Sequence, residues 1–94
     1  MEQSYKRGRL EIVQEILAIS RKSTRKTRIL YGCNLSYNLI QKYLEYVTSN
    51  NLLTNFKNND HTFYLTTEKG IQFLKEYKRL NNLCPKENNG YEMP

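Results

Sequence analysis

Hydrophobic residues recur with a helical period through the first half of the chain and with a period near two after Asn51, so the order of elements is readable before composition is considered. Leu10, Val13 and Leu17 fall on one line and Ile12, Ile16 and Ile19 on its neighbour, which predicts a helix over residues 8–21 with one buried side. After a run of basic residues, a short second helix is expected, capped by Ser23 or Thr24, carrying Ile29 and Leu30 and ending near Gly32, where the backbone can turn to positive φ. A third helix is predicted from Ser36, a good N-cap, to Ser49. Its inward stripe is Ile40, Tyr43, Leu44 and Val47, and at about 100° per residue the opposite side carries Asn38, Lys42, Glu45 and Ser49, flanked by Gln41. Asn50 and Asn51 close it, because Asn tolerates the left-handed region better than most residues with a side chain.

The stretches 52–57 and 62–66 are rich in β-favouring residues, and Asn58-Asn59-Asp60 between them is turn chemistry, so a hairpin is expected. Thr66 or Thr67 caps a fourth helix. Its residues Phe73, Tyr77, Leu80 and Cys84 form a coiled-coil-like seam, while Ile71 and Leu74 face the core and Pro85 ends the helix. The expected organisation is a domain over 5–66, a helix over 67–84 and a flexible tail over 85–94.

Composition narrows the function classes. A chain of 94 residues has room for one domain, and its 38% hydrophobic content includes no run near the roughly 18 residues that span a bilayer. Glu2, Lys6, Arg7 and Arg9 are followed by no apolar segment of signal type, so a cytoplasmic protein is expected, with no membrane partner. The net charge of +6 suits a polyanion and is unevenly placed: residues 1–31 hold eight basic and three acidic residues, residues 32–94 seven and six. Five basic residues and no acid fall within 21–28. Two cysteines and one histidine, His61, do not make a tetrahedral zinc site or a nucleophile–base pair worth defending, so no cofactor, metal or enzymatic activity is expected.

The order helix, short helix, turn, helix, hairpin, helix is that of a winged helix-turn-helix. Residues 25–77 resemble the small winged-helix regulators of archaea and their viruses. The resemblance rests on Lys26-Thr27-Arg28-Ile29-Leu30-Tyr31, on Asn34-Leu35-Ser36-Tyr37, on Tyr43-Leu44, and on Tyr64-Leu65-Thr66 with Lys69-Gly70 and Phe73-Leu74. Two departures are Asn51, where that family usually has Gly, and Leu39, where relatives tend to be polar.

The resemblance implies an α+β, mainly helical fold. It further implies a transcriptional regulator that binds double-stranded DNA as a homodimer paired through the last helix, in the cytoplasm of a cell or of a virus host. Helix 36–49 would enter the major groove with Ser36, Tyr37, Asn38, Gln41 and Lys42, the amide side chains reading adenine and Lys42 guanine. Arg25, Lys26, Thr27 and Arg28 would take phosphates, and the wing tip, Lys57, Asn58, Asn59 and His61, the adjacent backbone or minor groove. The dimer interface would hold Phe73, Tyr77, Leu80 and Cys84, the last able to form a disulfide across a two-fold axis. Most tyrosines are expected in the core, and Cys33 as a small buried group. The alternatives are an architectural protein that coats DNA without sequence preference and a winged-helix adaptor between proteins.

Overall fold

The computed structural model describes residues 7–84; the sequence-based tail over 85–94 lies outside them. The elements are α1 (Arg9–Ile19), β1 (Thr24–Arg25), α2 (Lys26–Gly32), α3 (Tyr37–Ser49), β2 (Leu53–Asn58), β3 (His61–Thr66) and α4 (Glu68–Leu83). The strands form one antiparallel sheet in the order β1-β3-β2, with Thr24 opposite Tyr64 and Phe56 opposite Phe63. The core is built from Ile12, Val13, Ile16 and Leu17 of α1, Ile29 and Cys33 around the end of α2, Ile40, Leu44 and Val47 of α3, and Leu52 and Leu53.

Three sequence-based expectations are corrected. Ser23 and Thr24 do not cap α2: Arg25 stands at the N-cap position without a side-chain bond, and Thr24 is half of a two-residue strand, too short for any period to show. The left-handed residue after α2 is Asn34 (φ 54°), not Gly32. Asn34 N–H bonds the Tyr31 carbonyl and Leu35 N–H the Leu30 carbonyl, the pair of reversed bonds that ends a helix in a Schellman motif. Leu10 shares an angular line with Leu17 but sits in the first turn of α1, outside the buried core, and is 50% exposed.

The same motif ends α3. Asn51 (φ 62°) donates to Thr48 and Leu52 to Val47, so Asn takes the left-handed position that Gly most often fills in this motif. The wing turns on Asn59 and Asp60, both at positive φ (53° and 67°), the type I′ geometry whose twist matches paired strands.

The sheet is fastened to the helices at one place. Thr66 Oγ1 donates to the Leu17 carbonyl (2.7 Å) and Thr66 N–H to Ser20 (2.8 Å). Thr67 N–H donates to Leu52 (3.0 Å) and Thr67 Oγ1 to Asn51 (2.7 Å), while that hydroxyl accepts from Gly70 N–H to cap α4. Gly70 is buried here, and a Cβ on it would lie 2.3 Å from the Leu52 carbonyl oxygen and 2.5 Å from Thr66 Cγ2. A Cβ on Gly32 would meet only the end of the Ile19 side chain, which can rotate away.

Gly70→Ala is therefore expected to destabilise the fold by about 1–3 kcal/mol, because a backbone oxygen must shift despite the gain in helix propensity. Gly32→Ala should stay within about 0.5 kcal/mol of the parent, clash and propensity offsetting. Thermal unfolding of the two variants checks the contrast.

Candidate nucleic-acid interface

Ser36 takes its N-cap role in α3: its Oγ accepts from Leu39 N–H at 3.1 Å, which fixes where the helix starts. Tyr37, Asn38, Gln41 and Lys42 are all exposed on the first half of α3, and Tyr37 is 63% exposed. This side is not packed into the protein's own interior, which takes Ile40, Leu44 and Val47. Glu45 lies further along the outer side, so the negative charge of α3 falls on its C-terminal half.

The basic run divides between two places. Lys26 Nζ stands 4.7 Å from the centroid of the Tyr37 ring, a cation–π contact, lies 3.5 Å from Tyr37 Oη and donates to Gln41 Oε1. An ammonium has only donors, so Gln41 must turn its carbonyl oxygen toward Lys26 and leave its NH2 free. The bidentate adenine contact expected of Gln41 needs both amide atoms, so Gln41 would have to leave Lys26 to make it; Asn38 is not engaged in this way. Arg28, two residues on, is rotated about 200° from Lys26. It lines a separate cleft with Arg21 and Lys22. Thr27 is exposed, and Arg25 lies in β1 opposite Phe63.

Lys57, Asn58, Asn59 and His61 are exposed around the wing tip, with Asn58 opposite His61. Between α3 and the sheet runs a groove of about 310 Å³ lined by residues including Gln41, Glu45, Asn55 and Tyr64. On the other flank of α3, Arg9 stacks on Tyr46 at 5.6 Å and shares a groove of about 350 Å³ with Leu39 and Lys42. Arg9 is not among the site residues expected from the sequence, because its partner Tyr46 lies on another helix far along the chain. Tyr31, at 79% exposed, and Tyr46, at 40%, join Tyr37 as tyrosines outside the core, against the expectation of mostly buried rings; Tyr43, Tyr64 and Tyr77 are half-buried.

On α4, Phe73 and Tyr77 stack at 6.2 Å, and Phe73 also packs on the protein's own core. Leu80 is 58% and Leu83 80% exposed, and Cys84 is an exposed free thiol. Among the described residues no group of three or more His, Cys, Asp or Glu is placed to hold a metal, and no helix is long and apolar enough to cross a membrane.

This architecture is that of a winged helix. The chain belongs to the winged helix-turn-helix family, whose model matches residues 6–84. It is similar to Sso10a-2, a DNA-binding protein from Sulfolobus solfataricus, at 30% identity and a TM-score of 0.77 over 87% of this chain and 84% of that one. The winged-helix DNA-binding protein from the archaeal virus STIV shares the fold at 16% identity and a TM-score of 0.64, over 79% of this chain and 88% of that one. An uncharacterized protein of Methanocaldococcus jannaschii is 38% identical over 63 residues, 66% of this chain; the match spans 62% of that relative's length.

Cys33 is 1% exposed, as expected, and its thiol is pushed up from 9.0 to about 11, first by burial and then by the Glu15 carboxylate, with Arg7 acting in the opposite sense. The folded chain thus holds a proton that the unfolded chain releases, so this contribution to stability is complete below pH 9.0 and lost as pH rises toward about 11. In a Cys84→Ser variant, the remaining thiol should resist a disulfide reagent near neutral pH until denaturant is added. Rapid reaction of the native protein would contradict this burial.

Proposed function

We propose that this chain is a DNA-binding transcriptional regulator that acts as a homodimer, with α3 in the major groove and the wing tip on adjacent backbone or minor groove. The observation that carries the reading is the exposed first half of α3, where Ser36, Tyr37, Asn38, Gln41 and Lys42 are open to solvent, Tyr37 and Gln41 touch Lys26, and the only acid on the outer side lies further along. Asn38 offers both amide atoms to a base edge. Gln41, its oxygen held by Lys26, offers donors alone and suits an acceptor edge such as guanine N7 and O6 or thymine O4. Arg25, Thr27 and Arg28, with Lys57, Asn58, Asn59 and His61 on the wing, are assigned to phosphate and flanking contacts. The DNA-binding descriptions of Sso10a-2 and the STIV protein support the reading by analogy.

Selection of bound sequences from a random duplex library tests it. A two-fold motif is expected, with half-sites about 34 Å apart. No enrichment despite binding would support the coating alternative, which the cations placed away from α3 favour. Lys42→Ala should weaken binding to the selected site by about 1–3 kcal/mol at fixed salt and relax preference at one position. Unchanged affinity would sink the groove assignment and favour the adaptor.

The seam Phe73, Tyr77, Leu80 and Cys84 is assigned to the dimer. Apolar side chains left in solvent on α4, together with the thin core of a small domain, support it. Leu80→Asp is expected to shift sedimentation from dimer to monomer while leaving the helical circular-dichroism signal in place. A Cys84 disulfide would add only a covalent clasp to the same contact.

A further inference from the structure

We propose that the cleft between the end of α1 and α2 is a phosphate-binding site, separate from the outer side of α3. Arg21, Lys22 and Arg28 line this cleft of about 750 Å³, whose apolar part is Ala18 and Ile19 and whose lining includes no acid. None of the three cations has a salt bridge or hydrogen bond among the described residues. Thr24 also lines the cleft; it is 6% exposed, and its hydroxyl is buried without a hydrogen-bond partner. That hydroxyl lies beneath the cleft surface, so the anion-facing part of the lining is formed by Arg21, Lys22 and Arg28.

Arg21 and Lys22 are carried on a segment held at both ends, and Arg28 stands on α2. The Ser20 carbonyl accepts from Thr66 N–H at 2.8 Å, and Thr24 and Arg25 are paired with Tyr64 and Phe63. Three positive charges, two on this anchored turn and one on α2, repel one another in the free protein, and an anion relieves that repulsion without having to order the backbone. Guanidinium groups match the paired oxygens of phosphate in geometry as well as charge. The volume exceeds that of a single phosphate and falls within the range of roughly 300–1,000 Å³ usual for ligand clefts, so a diphosphate or a phosphate with a body attached fits it. The phosphate can belong to a free phosphorylated molecule or to a nucleic-acid backbone.

The test is calorimetric titration of the full chain with inorganic pyrophosphate at low ionic strength. Saturable binding with one site per chain is expected. Lys22→Gln with Arg28→Gln should weaken it by about tenfold or more. Lys75→Gln with Lys78→Gln, which removes the same charge from α4, should leave it unchanged. The absence of saturable binding, or an equal loss in both double variants, overturns the proposal. Repeating the titration with the chain saturated by a short duplex separates the sources. Exclusion of pyrophosphate means that backbone phosphates occupy the cleft; undiminished binding means that a free phosphorylated molecule does. Pyrophosphate binding by a chain that binds no duplex would remove the regulator reading and leave this site standing.

Discussion

Thr66 and Thr67 set the relative position of nearly everything else. Within two residues, the end of β3 bonds to α1 through Leu17 and Ser20, to the exit of α3 through Asn51 and Leu52, and to the first turn of α4 through Gly70. Each bond satisfies a backbone group that would otherwise be left in a poorly solvated junction, at a cost of about 1–3 kcal/mol apiece. The close approach of α4 to the Leu52 carbonyl is possible because Gly70 has no side chain there. Consequently the angle between α3 and the wing is a property of the fold's anchoring point rather than of either element alone.

The helices were legible because burial on one side imposes a period, and the period survives in Ile12, Ile16, Ile40, Leu44 and Val47. The hairpin was legible from its turn residues, since Asn and Asp tolerate the positive φ that a two-residue turn demands. β1 was not, because two residues carry no alternation and owe their extended conformation to Tyr64 and Phe63 across the sheet. Gly32 misled for a related reason. A glycine marks where the left-handed turn is cheapest, yet the chain places that turn two residues later at Asn34 so that Cys33 can enter the core.

The contents of the candidate site were legible as residue types but not as partners. Periodicity puts Gln41 on the outside of α3, and nothing in the local sequence ties it to Lys26, which lies 15 residues earlier on another helix. Likewise the run from Arg21 to Arg28 reads as one basic strip. Folded, it bends through a turn and a strand, and its charges separate onto two sides of α2.

That separation bears on how such a surface can discriminate. A uniform strip of cations attracts any polyanion, and its energy depends on salt far more than on sequence. Lys26 instead spends its charge on Tyr37 and on the oxygen of Gln41, within the protein's own surface. The engaged ammonium has less to offer a phosphate, but it sets which hydrogen-bonding atoms α3 presents. A contact that lowers non-specific attraction while restricting the donor and acceptor pattern raises the ratio of specific to non-specific affinity, the quantity that decides occupancy when competing sites are many. The cations of the α1–α2 cleft carry no such restriction, so under the proposed reading general attraction and base discrimination would fall to different residues of one short basic run.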